Sequence, residues 1–275
     1  MPGKMNLRDR TAVVTGAASG IGRAIAVSLA RRGCHLALAD INEAQLAQTA
    51  ELAASHGVRI SRHRLDVADR AAVAAFPGIV IAEHGKVDIL VNNAGVALGG
   101  TFDQVSEADF ESLFDVNFWG VVRMTRAFQP HLRASDDARI VNLSSLYGLI
   151  APPGQTAYAA SKFAVRGFSQ SLRHELEGSR IGVTVVHPGG VATSIARSAR
   201  IPKGLLSPEE EAKRRAAAEK LLRMPPATAG EIIVRAIEQR KPRVIVGTDA
   251  KILAVLERLA PVSYWKILGK LRPQM

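Results

Sequence analysis

Between Thr11 and about residue 191, short apolar runs rich in Val, Ile and Leu alternate with longer stretches whose apolar residues recur at helical spacing. Strands buried on both faces read as unbroken apolar runs, and the helices covering them repeat every 3.6 residues. The alternation therefore predicts βαβ units and a mostly parallel sheet with helices on both sides. Strands are expected near 11–15, 35–39, 59–64, 87–91, 139–143, 182–186 and 243–246. Helices are expected between them, the first over 20–32 and stopped by Gly33, the second closed by Gly57. A third should cover 69–84, kinked or split at Pro77-Gly78. A long one should run from the capping pattern Ser106-x-x-Asp109 to about Arg133, another should carry Tyr158 to about Glu177, and a last one spans about 229–239. The pattern loosens over about 193–228, where Pro202, Pro208, Pro225 and Pro226 punctuate a basic segment read as loop with one or two helices. Within the tail, about 249–275, residues 251–271 read as an amphipathic basic helix broken at Pro261. No repeat or low-complexity linker divides the chain, so residues 1–275 are read as one α/β domain.

Composition narrows the function classes. The chain has 275 residues, 47% hydrophobic and 22% charged, enough for a substantial core. One cysteine, Cys34, permits no intrachain disulfide and no cysteine metal site. The seven histidines form no H-x-x-x-H or H-E-x-x-H pattern, so no metal is expected. The N-terminus has no apolar h-region, and no apolar run approaches a membrane span, which reads as a soluble, cytoplasmic protein. The net charge of +11 is concentrated at the C-terminus: residues 197–275 hold 17 Lys and Arg against 8 Asp and Glu. Nucleic acid is not expected as a partner, because aromatic residues make up only 5% and do not interleave with the basic ones. For the tail, packing on the subunit or a partner subunit is favoured over an anionic membrane surface. Arg139, Glu175 and Glu177 are read as solvated element ends.

The first strand-to-helix turn reads Thr15-Gly16-Ala17-Ala18-Ser19-Gly20-Ile21-Gly22. Phosphate reaches backbone only where no Cβ stands in the way, and a helix N-terminus offers free N–H groups and a positive dipole end. The turn is therefore a dinucleotide site by context. Asp40, 18 residues beyond Gly22 at the end of the second strand, fits the acid that bonds a ribose 2′-hydroxyl. A carboxylate there repels a 2′-phosphate, so NAD is expected over NADP; the other reading of Asp40 is a helix cap. Tyr158 and Lys162, four apart on a helix, project from one face as a candidate proton-transfer pair. Alone, such a pair is commonly surface decoration.

Together with Asn92-Asn93-Ala94-Gly95, Asn117, Ser145, Pro188-Gly189 and Thr193, these residues resemble the short-chain dehydrogenase/reductase family, in its branch of compact subunits. The resemblance covers about residues 7–193 and is vague beyond. It implies a doubly wound Rossmann fold, a helical substrate loop at 193–228, and hydride transfer between NAD(H) and a substrate carbon. Tyr158 would be the general acid/base, Lys162 would lower its pKa and hold the nicotinamide ribose, and Ser145 would bond the substrate oxygen, in preference to Ser144. Asn117 would hold a water linking Lys162 to solvent. For the cofactor, the resemblance adds Asp66 and Val67 on the adenine side, Asn93, Ala94 and Gly95 along the adenine ribose, and Pro188, Gly189, Val191 and Thr193 toward the nicotinamide. It also implies a homodimer or homotetramer through the helices of Asn117 and Tyr158. Leu146, Leu149, Ile150, Pro152 and Pro153, with the apolar residues of the loop, suggest an apolar secondary alcohol or ketone as substrate. The rivals are an NADP-preferring reductase, a nucleotide-binding sensor or scaffold without turnover, and an adaptor for membrane or nucleic acid.

Overall fold

The computed structural model describes residues 3–195, 199–200, 209, 216 and 222–271. Seven strands form one sheet in the order β3-β2-β1-β4-β5-β6-β7: Thr11–Thr15 (β1), His35–Asp40 (β2), Ile60–Arg64 (β3), Ile89–Asn92 (β4), Ala138–Leu143 (β5), Ile181–Pro188 (β6) and Arg243–Val246 (β7). Every pairing is parallel, where the sequence led us to expect only a mostly parallel sheet. The central strands β1, β4 and β5 are buried along their whole length, while edge strand β3 alternates with exposed residues. That is the contrast expected between a strand covered on both faces and one at the rim.

Among the described residues the helices with defined ranges are Gly20–Ala30 (α1), Glu43–Ala54 (α2), Arg70–His84 (α3), Glu107–Phe114 (α4), Gly120–Arg133 (α5), Thr156–Glu175 (α6), Pro226–Glu238 (α7), Thr248–Leu259 (α8) and Tyr264–Leu271 (α9). One core layer packs α1 and α7 on the sheet through Ile25, Leu29, Ile233 and Ile237. The opposite layer packs α3, α5 and α6 through Phe76, Phe128, Leu132 and Leu172. The Pro77 expectation is corrected as to a split: α3 continues from Arg70 to His84 with Pro77 inside it. A second correction concerns Arg139, which is 4% exposed, donates to Thr184 Oγ1 at 2.8 Å and is pulled down to about 10 by burial. Apolar flanks in β5 dictated the strand, and the partner that lets an arginine sit inside it lies 45 residues away in β6. The long helix predicted over 106–133 is continuous but contains a π turn, Asp115–Trp119, between α4 and α5. Much of the 193–228 segment, including Ile201, Leu205, Leu206 and Leu221, lies outside the described residues.

Strand order reverses between β1 and β4, and chain order then runs outward on either side of that point. Ligands of such sheets bind at the carboxyl ends of the strands beside the reversal. Thr15, Asp40, Asn92, Leu143 and Pro188 each end a strand on that edge.

Candidate active site

The glycine-rich turn leaves β1 and enters α1. Gly16 and Gly20 have φ of 63° and 55°, and the N-cap Ser19 makes no side-chain cap bond, so the first N–H groups of α1 keep their donor capacity. A Cβ on Gly22 would lie 2.1 Å from the Gly16 carbonyl oxygen and 2.5 Å from Asn93 Nδ2. Only glycine fits there. Asn93 Nδ2 donates to the Thr15 and Gly16 carbonyls, both at 3.0 Å, while Thr15 Oγ1 accepts the N–H groups of Asn93 (3.0 Å) and Ala94 (3.1 Å). Asn93 and Ala94 thus clamp the turn to the end of β4.

Asp40 Oδ2 accepts the Ala18 N–H at 3.0 Å and Oδ1 accepts the Asn42 N–H at 2.9 Å. The cap of α2 is Asn42, whose side chain accepts the Gln45 N–H, so the helix-cap reading of Asp40 is overturned. Asp66 is exposed and accepts the Ala68 N–H at 2.9 Å; the cap of α3 is Asp69. Val67 beside it is buried. Thr193 lies over the turn, its Cγ2 3.1 Å from where a Gly20 Cβ would stand, and Ser194 Oγ is 3.4 Å from Ser19 Oγ. Pro188 ends β6, Gly189 N–H donates to Val246 O, and Val191 is buried against Met224.

Beyond β5, the paired serines part company. Ser144 is buried and donates to the Lys162 carbonyl at 2.8 Å. Ser145 is half-buried and caps a short 3-10 turn (Leu146–Gly148) by accepting the Tyr147 N–H at 3.1 Å, and it acts to hold the Tyr158 phenol down. Tyr158 and Lys162 come from α6 as the spacing predicts, with Lys162 Nζ 5.7 Å from the Tyr158 ring centroid. Lys162 is 3% exposed and donates to the Leu143 carbonyl at 3.1 Å; no carboxylate bonds it among the described residues. Burial pulls its ammonium down to about 8. Burial also pushes the Tyr158 phenol up to about 12, outweighing the opposing pull of Ser145. In the protein alone, desolvation is the largest effect on both groups and opposes the lowering expected from Lys162.

Asn117 is fully buried in the π turn. Its Oδ1 accepts the Val96 N–H at 2.8 Å, and its Nδ2 donates to the Val96 carbonyl at 3.0 Å and to Ser161 Oγ at 3.2 Å. A Cβ on Gly95 would lie 3.1 Å from Asn117 Oδ1 and 3.4 Å from Lys162 Nζ, so the β4 exit runs close against both side chains. Leu146, Leu149 and Ile150 are buried, Leu146 and Ile150 against Ala250, Leu253 and Tyr264. Apolar residues beside Tyr158 are Val96, Leu98, Ala157 and Phe114, together with Tyr147, edge-on at 6.0 Å.

Four residues near the site were not singled out in the sequence. His187 is fully buried, donates from Nδ1 to the Ser145 carbonyl at 3.0 Å, leaves Nε2 without a partner, and is pulled down to about 4 by burial. Asp249 accepts the Gly190 N–H at 2.8 Å, tying α8 to the loop after β6. Tyr264 accepts the Ala151 N–H at 2.9 Å, tying α9 to the loop after β5. Tyr147 completes the set. His187 beside Pro188 was the one visible signal, since a polar residue there interrupts an apolar strand.

The family model for short chain dehydrogenase matches residues 10–203. SadH of Mycobacterium tuberculosis is 44% identical over 266 residues, covering 96% of this chain and 95% of that protein. A short chain dehydrogenase/reductase from Burkholderia phymatum, solved with NAD, superposes with a TM-score of 0.85 at 30% identity over 93% of this chain and 95% of that one. A metagenomic short-chain oxidoreductase solved with NADP superposes at 0.72 with 29% identity, over 88% of this chain and 98% of that one. Matched in sequence across more than half its length, and in fold across nearly all of it, the chain belongs to the short-chain dehydrogenase family of oxidoreductases.

Proposed function

We propose that this oxidoreductase passes hydride between NAD(H) and the carbon of a small, apolar secondary alcohol or ketone. The observation that carries the reading is the placement of Ser145, Tyr158 and Lys162 on the same sheet edge as a glycine-rich turn at a helix N-terminus. The bound nicotinamide supplies or takes the hydride, and the uncapped N–H groups of α1 suit its pyrophosphate. Gly16, Ser19, Gly20, Ile21 and Gly22 would line the phosphates, with Thr193 above and Asn93, Ala94 and Gly95 beside them. Asp40 would hold the adenine ribose, with Asp66 and Val67 further out, and Pro188, Gly189 and Val191 would border the nicotinamide. Similar structures bind NAD and NADP, so the fold accommodates both. NAD is favoured here because Asp40 is fixed against the turn by the Ala18 N–H, with its other oxygen on the Asn42 N–H, and Ile41 beyond it is exposed and uncharged.

In reduction, the substrate oxygen gains negative charge as hydride reaches the carbon, and donors fixed beside that oxygen are worth most at that moment. Ser145 would bond the oxygen and Tyr158 would give it a proton. A phenol pushed up to about 12 holds that proton at neutral pH, which suits the acid role. In oxidation the same oxygen gives its proton to the phenolate, and Lys162 stabilises that anion from one turn away. Asn117 spends its side chain bracing the β4 exit against α6, which leaves the backbone of the π turn as the place to hold a water. Trp119 and Phe163, 48% and 37% exposed on the helical segments that carry Asn117 and Tyr158, support the homodimer or homotetramer reading through these helices.

The test is NADH formation with a panel of apolar secondary alcohols, run in parallel with NADP. Tyr158→Phe is expected to lower kcat by about 10²- to 10⁴-fold, the contribution of a positioned proton donor, with dinucleotide binding retained. Equal turnover by wild type and Tyr158→Phe sinks the mechanism, and faster turnover with NADP replaces the coenzyme assignment.

A further inference from the structure

The tail reaches the core by one face only. Ala250 is fully buried and Leu253 packs with it against Leu146, Ile150 and Ile245. On the outer side of α8, Ile252, Val255 and Leu259 are 61%, 57% and 79% exposed, and Val262 in the following turn is 93% exposed. At 100° per residue the first three fall within an arc of about 60°, a continuous apolar stripe turned to solvent. Lys251 and Arg258, both exposed, lie along one border of that arc. Arg243 at the start of β7 is held below its ordinary range by burial and by the positive fields of Arg166 and Arg258. Among the described residues, no carboxylate forms an ion pair with Lys251, Arg258, Arg243 or Arg166.

A second copy of the chain is a poor occupant for this face. A two-fold contact would bring these unpaired cations toward their own equivalents, and four apolar side chains fall well short of the roughly 800 Å² per partner of a stable interface. An anionic lipid surface answers both features, taking the stripe into the acyl boundary and the cations onto its headgroups. We propose that the outer face of α8, with the turn at Val262, is a docking surface for an anionic bilayer, with Ile252, Val255, Leu259 and Val262 inserting and Lys251 and Arg258 contacting headgroups. The inner face of the same tail carries Tyr264, whose hydroxyl accepts the Ala151 N–H. Docking would therefore bring the loop after Ser145 close to the membrane plane, without depending on the reaction assigned above.

Truncating the tail would disturb that loop, so point variants on the exposed face are the better probe. The full chain is co-sedimented with phosphatidylcholine vesicles, with and without about one-third phosphatidylserine. The wild type is expected to pellet with the anionic vesicles, less so as salt rises, and to stay in the supernatant with neutral ones. Val255→Glu/Leu259→Glu and Lys251→Glu/Arg258→Glu are each expected to weaken binding at least tenfold, with unchanged circular dichroism and thermal midpoint. Absence of wild-type binding, or equal binding by both variants, overturns the proposal. So does a fall in the mass measured by sedimentation equilibrium in Val255→Glu/Leu259→Glu, because it would assign the stripe to a second copy.

Discussion

His187 shows how one side chain can finish what a backbone ladder cannot. β5 and β6 pair through Leu143 and Val186, and Ser144 N–H still bonds the Val186 carbonyl at 2.9 Å. In a parallel ladder the next donor would come from residue 188, which is proline and has no N–H. The imidazole holds the next carbonyl along, its Nδ1–H reaching the Ser145 carbonyl at 3.0 Å and fixing the start of the turn that presents the Ser145 hydroxyl. Pulled down to about 4, the ring stays neutral at working pH and keeps a single donor role. His187→Leu is expected to lower kcat about tenfold, the worth of a net hydrogen bond of about 1.4 kcal/mol, while KM for NAD is unchanged. His187→Asn, whose amide can reach the same carbonyl, is expected to restore most of the loss. Equal loss in both variants, or a parallel rise in KM for NAD, would show that the residue only fills space.

Among the elements, the short turn Leu146–Gly148 decides how close Ser145 stands to Tyr158. It is pressed onto α6 at Gly148, where a Cβ would lie 2.2 Å from Ser144 Oγ and 2.7 Å from the Lys162 carbonyl. Gly148→Ala must lift the turn or distort α6, an overpacking cost of about 1–3 kcal/mol. The expected result is a lower midpoint in urea and a reduced kcat, with NAD binding by calorimetry retained because the glycine-rich turn lies on other elements. Unchanged kcat would separate the turn from catalysis. What could be read from sequence at this scale follows from what generates each element. Strands and helices came through because apolar periodicity creates them, and the places of Asp40 at the end of β2 and Asn93 just past β4 follow from those strands. The π turn was not legible: its wider ring reflects the buried Asn117 bonding Val96 and Ser161, contacts 21 and 44 residues away in sequence. Pro77 did not split the helix for the converse reason, since local propensity allowed a break and packing in the α3 core kept it whole.

Across the whole molecule, the site sets a stability cost that pH should expose. Lys162 is buried with a carbonyl for company and no carboxylate among the described residues, and its ammonium is pulled from an ordinary 10.5 down to about 8. Below pH 8 both folded and unfolded chains carry the charge, and the folded one bears its desolvation, about 3 kcal/mol for a displacement of this size. Between about 8 and 10.5 the folded lysine is neutral while the unfolded one still binds a proton, so its contribution to stability rises with pH. Tyr158 works in the opposite sense, because the folded phenol keeps its proton to about 12 and the unfolded one releases it near 10. Cys34, also pushed up by burial, adds to that alkaline loss. Total stability therefore mixes several groups, and the difference between wild type and Lys162→Met isolates the lysine. In urea titrations the variant is expected to be the more stable protein at pH 7, by up to about 2 kcal/mol once the lost bond to Leu143 is allowed for. Its advantage should shrink steadily toward pH 10.5 while its turnover stays abolished. An advantage that did not change with pH would mean Lys162 is not held uncharged by burial. A shrinking one would mark the site as a place where the fold gives up stability to keep an unpaired cation beside Tyr158.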